Sequence, residues 1–153
     1  MNRILSFLFA LAAALSAGIG VAPAFGQLAN DGGTPLSAEE ARAGLFGVDM
    51  HGLSPTFGME WRECIDPAGN TVYETPGLTQ KGKLRVTVGG LACFSYDDDD
   101  FTSESCFTVK RTSGGFIFNG ARGFDSDDTG SVFVTTSVRP GIKRCPAGDD
   151  LIG

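Results

Sequence analysis

Four cysteines carry the most definite chemistry in the sequence: Cys64, Cys93, Cys106 and Cys145. No two of them form a C-x-x-C pair, and His51 is the lone histidine, so the close ligand spacing of a tetrahedral zinc site is missing. Two disulfides would use all four thiols. Three pairings are possible. Cys93 with Cys106 and Cys64 with Cys145 is preferred, because the first two can face each other across one hairpin. The second bridge would then tie an early strand to the last segment.

Other reactive side chains give less. Any triad with a histidine base must use His51, yet Asp49 and Ser54 lie too close to it in sequence to complete one, and no G-x-S-x-G elbow exists. His51 is expected on the surface or in a turn. Among 18 acidic residues, carboxylate pairs are easily found and none stands out as the acid and base of a hydrolase. No catalytic residue is assigned, and no cofactor. The segment Asp125-Ser126-Asp127-Asp128-Thr129-Gly130 partly matches the start of a calcium loop, with Asp125, Asp127 and Thr129 as oxygen ligands. Position twelve would be Thr136 rather than a bidentate glutamate, and the flanks read as strand. An acidic turn is therefore the first expectation there, as a solvated loop is for the four aspartates at 97–100.

The elements that must hold these residues begin with one helix. In Leu36-Ser37-Ala38-Glu39-Glu40, Ser37 and Glu40 have the spacing of a capping box. The helix would present Ala38, Ala41, Leu45 and Val48 on one side, with Gly44 and Gly47 as stops. After Gly58 the pattern changes to alternation broken by glycine-bearing turns, the mark of antiparallel strands. The clearest strand is 83–88, with Leu84, Val86 and Val88 on one face and Lys83, Arg85 and Thr87 on the other.

Gly89-Gly90 then reads as a two-residue hairpin leading to a strand at 91–96. That turn would place Val88 opposite Leu91, Val86 opposite Cys93 and Leu84 opposite Ser95, so a buried disulfide is expected on the apolar side. Opposing Cys93 to Cys106 in the next strand, 105–110, also opposes Phe94 to Ser105. Phe94, Tyr96, Phe107 and Val109 then share the other face, which needs cover as well. Further strands are expected at 59–65, 71–74, 115–119 and 131–138. The predicted fold is mainly β: about seven short strands in an antiparallel meander, curled into a small barrel-like sheet with one short N-terminal helix and two disulfide staples.

The N-terminus follows the export pattern. Arg3 precedes an apolar run at 4–15, and Ala22-Pro23-Ala24-Phe25-Gly26 ends in small residues suited to cleavage after Gly26 or Ala24. The expected organisation is a signal peptide at 1–26, a flexible leader at 27–35 and a single β-rich domain at 36–153, with no membrane span once the signal peptide is gone. Loss of Arg3 moves the net charge from −6 to −7. Such a surface repels phosphate backbones, and with no basic patch nucleic acid is an unsuitable partner.

Trp61, Cys64, Asp66, Pro67, Gly69, Gly82, Cys93 and Cys106 together give a spacing that resembles a family of small exported bacterial proteins of unknown function. Its features are a tryptophan before a strand, an Asp-Pro-x-Gly turn, a glycine opening a strand and paired cysteines. The resemblance spans about 36–118 and implies a periplasmic β-rich domain with no activity to carry over. The function expected is that of a periplasmic or secreted, non-enzymatic module that binds a small ligand or an envelope protein through the barrel mouth or loops. Two alternatives come from other classes: an inhibitor of a cell-wall hydrolase such as lysozyme, suited by the acidic loop, and a carboxylate-dependent hydrolase. Trp61 and the twelve phenylalanines are expected mostly in the core.

Overall fold

The computed structural model describes residues 33–97, 102–121 and 130–146, with the side chains of 102 and 103 excepted. Ser37 and Glu40 close the capping box: the Ser37 hydroxyl accepts from the Glu40 amide at 3.2 Å, and the Glu40 carboxylate accepts from the Ser37 amide at 2.8 Å. Helix α1 (Ala38–Leu45) follows. Gly47, at φ 71°, turns the chain out of it. Val48, expected on the helix's apolar side, opens a strand instead.

Among the described residues eight strands then run β1 (Val48–Ser54), β2 (Met59–Ile65), β3 (Asn70–Thr75), β4 (Leu78–Val86), β5 (Ala92–Asp97), β6 (Thr102–Thr112), β7 (Gly115–Gly120) and β8 (Val132–Pro140). Each pairs antiparallel with the next, and β8 returns to β1, closing a barrel in sequence order. The meander, the curled barrel, the one helix among the described residues and both disulfides match the expectation. The eighth strand, β1, was not expected. His51 is therefore a strand residue rather than a turn residue, with its side chain 55% exposed on the outer wall.

Alternation along each strand sends one set of side chains inward. Met50, Trp61, Ile65, Leu84, Val86, Ala92, Phe94, Phe107, Val109, Phe116 and Phe118 form one buried cluster with Ala41 and Leu45 of the helix. The helix closes one end of the barrel. Leu36 donates its amide to the Val109 carbonyl at 2.8 Å, Pro35 bridges Lys110, and Arg42 reaches the Val86 carbonyl at 2.9 Å. Full burial of Leu45 contributes about 2 kcal/mol to this seal.

The β4–β5 register differs from the expectation by one residue. Val86 pairs with Ala92, Arg85 with Cys93, and Leu84 with Phe94. The turn holds three residues, Val88-Gly89-Gly90, between Thr87 and Leu91, which are joined by a bond from the Thr87 amide to the Leu91 carbonyl of 2.9 Å. Gly90 sits at φ 85°, the left-handed position of a three-residue hairpin, where a side chain would be strained. One extra loop residue exchanges the faces of a strand. Leu84 and Val86 therefore share the inner face with Phe94, Tyr96, Phe107 and Val109, and Val88 is fully exposed in the turn. On β4, β5 and β6 a single apolar face remains, lining the barrel, and the need to cover a second one there disappears.

Both disulfides lie on the outer wall. Cys93 and Cys106 are direct cross-strand partners on β5 and β6, and both are buried, as expected, but beside Arg85 rather than among the apolar residues. Cys64 on β2 is bonded to Cys145, and the terminal segment is further held by a bond from the Ile142 amide to the Gly47 carbonyl of 2.9 Å.

Candidate functional site

Period two places residues 61, 63 and 65 of β2 on the same inner face. Two are apolar, Trp61 and Ile65, but the middle one is Glu63, 4% exposed. It lines an interior cavity of about 50 Å³, away from the helix, together with Met50, Trp61, Tyr73, Phe94, Tyr96, Phe107, Phe118 and Phe133. Glu63 is the one carboxyl among the described residues around it. Tyr73, Tyr96 and Phe133 are half-buried, and the others are buried.

The rings are held by one another. Trp61 meets the edges of Phe118 and Phe133 at centroid distances of 6.2 and 5.9 Å, and Phe94 stacks on Tyr96 at 6.3 Å. Tyr96 can lie there because Gly82, its cross-strand partner on β4, leaves the room. A Cβ on Gly82 would run into the Ser95 carbonyl and come within 2.8 Å of the Tyr96 ring. The Trp61 indole N–H is buried with no hydrogen-bond partner among the described residues.

Glu63 is held by two hydroxyls. Tyr96 donates to its Oε2 at 2.7 Å, and Thr71, on the neighbouring strand, contacts its Oε1. Thr71 Oγ1 also lies 3.0 Å from the Cys64 carbonyl. A hydroxyl has one proton, and a carbonyl can only accept. Both contacts are satisfied when Thr71 donates to Cys64 and accepts from a protonated Glu63. The energetics agree: burial pushes the Glu63 carboxyl up to about 8, against the smaller opposing pull of the Tyr96 hydroxyl. At neutral pH the cavity thus contains an uncharged acid.

The outer wall is different in kind. Asp49, nearly fully buried, accepts from Arg62 Nε at 2.9 Å and from Arg139, while Arg62 also reaches Glu74 at 2.8 Å. Burial pushes the Asp49 carboxyl up, but Arg62 and Arg139 together outweigh it and hold the group below its usual range. This is a latch between β1, β2 and β8, with every charge answered.

The residues singled out in the sequence form no catalytic set: His51 Nε2 lies 4.0 Å from Asp49 Oδ1, but Ser54 is on the other face. Asp49 and His51 face outward, whereas Ser54 is buried on the inner side and donates to the Val132 carbonyl at 2.9 Å, so the three make no triad. Both sulfurs beside Glu104 belong to the Cys93–Cys106 bond and offer no thiolate to a metal. Asp97 is exposed at the end of β5. The calcium candidates Asp125, Asp127 and Thr129 lie outside the described residues, as do Asp98, Asp99 and Asp100. Sequence reasoning missed Glu63, although the signal was present in the alternation Trp61, Glu63, Ile65.

No family model, no curated protein and no solved structure matches the chain.

Proposed function

We propose that this chain is an exported envelope protein whose barrel is a non-enzymatic binding module, taking one end of a small ligand into the aromatic cavity around Glu63. The observation that carries this reading is the Glu63 carboxyl, buried among rings at the wall of a cavity. It is a costly group that contributes nothing to packing that a leucine would not supply, but it gives a ligand a polar partner inside an apolar wall. An eight-stranded barrel is just wide enough to be filled by its own side chains or to hold one small guest. With about 50 Å³ free, this one accepts the tip of a ligand rather than the whole of it.

Export is supported by the leader pattern at 1–26, by two disulfides that consume every cysteine, and by the resemblance carried by Trp61, Asp66, Pro67, Gly69 and Gly82. The wall has charged residues such as Arg62, Glu74, Arg85 and Glu104 outside and rings inside, the reverse of a barrel that faces lipid.

Trp61 is the only tryptophan and forms part of the cavity wall, so its fluorescence reports occupancy directly. The protein recovered from its native export route should begin after Gly26 or Ala24, carry no free thiol, and respond in fluorescence and melting temperature to members of a panel of small amines, alcohols and aromatics. A panel without any response, together with a retained leader, would overturn the proposal.

A further inference from the structure

The chemistry around Glu63 narrows the ligand class. We propose that the cavity binds a small organic ammonium group, with Glu63 as its counter-ion and the rings of Trp61, Tyr73, Phe94 and Tyr96 as its walls. The inference rests on the binding-module reading and names the ligand for it.

Three observations lead here. Ring faces carry negative potential, and a cation set against several of them is attracted without a hydrogen bond. The described cavity lining is almost entirely rings, supplied by Trp61, Tyr73, Phe94, Tyr96, Phe107, Phe118 and Phe133. The charges also point one way. Met50 of β1, Tyr73 of β3, Phe94 and Tyr96 of β5, Phe107 of β6, Phe118 of β7 and Phe133 of β8 line the cavity with Glu63, and Thr71 of β3 contacts its carboxyl. The titratable groups in that set are the two tyrosine phenols, and no lysine, arginine or histidine is among them to answer a carboxylate. A ligand cation would answer the ionised form of Glu63, as no cationic side chain among the described lining residues does. The net charge of −6 draws cations toward the molecule from a distance. Size agrees as well: about 50 Å³ admits an amino group and its first carbons, with the rest of the ligand outside.

Binding then has a defined proton balance. The Glu63 O–H bond breaks, its electron pair stays on the carboxylate, and the proton leaves to solvent. The ammonium ion brings the positive charge that replaces it. Thr71 turns its single proton from the Cys64 carbonyl to Glu63, while Tyr96 keeps donating to the other oxygen. Both carboxylate oxygens are then solvated by the protein before the cation is counted.

The test compares n-butylammonium with n-butanol, which has nearly the same shape and no charge, by calorimetry in two buffers of different ionisation heat. The full exported chain and E63Q are both measured between about pH 6 and about pH 9. The wild type should bind n-butylammonium with release of about one proton near pH 6, with affinity rising about tenfold per pH unit and levelling above about 8. E63Q should lose the proton release and the pH dependence and bind n-butylammonium at least tenfold more weakly at high pH. Equal binding of both compounds without proton release would overturn the ammonium inference and leave the binding module standing. Binding of neither, with no response in the wider panel, would remove both. Proton release by the wild type decides the matter even if E63Q folds poorly.

Discussion

Glu63 gives the protein a pH dependence that can be separated from that of its other carboxylates. Asp49, Asp66, Glu40 and Glu104 are all held below their ordinary range, so the stability they lend is lost only in acid. Glu63 behaves in the opposite way. Its folded value is raised to about 8 from 4.5, so between those limits the unfolded chain gives up a proton that the folded one keeps. Stability should fall as pH rises through that window, by at most about 1.4 kcal/mol per pH unit, and level off above about 8. E63Q should flatten the slope, and Glu63→Leu should in addition raise the melting temperature near pH 8, because it removes the desolvated acid. Urea melts at about pH 5, 6.5 and 8 check this, and an equal slope in wild type and E63Q would contradict it. The position was legible in the sequence as the middle of Trp61-x-Glu63-x-Ile65. What hid it was the count of acidic residues, since a carboxylate becomes informative only when its face is known.

At the scale of the element, the β4–β5 hairpin shows how local chemistry and packing decide register together. Gly89-Gly90 is a strong turn signal, yet a two-residue turn would have set Val86 against Cys93 and left two apolar faces. Adding Val88 to the loop costs one exposed valine and unites all the rings inside. Period alone could not choose between these, because the strand 83–88 alternates equally well in either register. The face partners, Phe94 with Leu84, decide it. The first half of β4 was unreadable for a related reason. Its inner positions are Leu78, Gln80 and Gly82, which show no apolar period because Gly82 yields its space to the Tyr96 ring. Likewise β1 carries Asp49, His51 and Gly52 within seven residues, and pairing with β2 on one side and β8 on the other makes it a strand. Gly82→Ala should therefore cost about 1–3 kcal/mol by overpacking and displace Tyr96 from Glu63. Gly89→Ala, whose Cβ would meet only the Thr87 hydroxyl at 3.9 Å, should be close to neutral. Thermal melts of the two variants, with the Glu63 slope measured for each, test both claims. Loss of the Tyr96 bond should carry the fall in stability to higher pH, and an unchanged upper end of the window in Gly82→Ala would mean that Tyr96 does not hold the acid.

On the scale of the whole molecule, closure of the barrel and the two disulfides divide the work of stabilisation. Pairing of β8 with β1 leaves no free sheet edge, so the wall is complete without any sulfur bond. The Cys93–Cys106 bridge joins residues that the ladder already sets opposite each other, and it spans 13 positions. It acts chiefly on the unfolded chain, where closing so short a loop is worth about 3 kcal/mol. Cys64–Cys145 spans 81 positions, and its unfolded-state value is larger, about 4.5 kcal/mol. It has a second effect that the other lacks. Cys145 belongs to the segment after β8, which is anchored by this bond and by the Ile142 amide on the Gly47 carbonyl, and Val72 is buried on the outer wall beside Cys64. Removing the bridge should let that segment leave before the barrel opens. Replacing Cys64 and Cys145 by alanine should lower the melting temperature more than replacing Cys93 and Cys106, and should make the chain after Pro140 open to protease while the barrel stays closed around Trp61. The Cys93 and Cys106 pair of substitutions should lower stability without exposing that segment. Limited proteolysis read by mass spectrometry, run beside the melts, distinguishes the two, and equal protection of the terminal segment in both variants would show that it is held by contacts other than the disulfide.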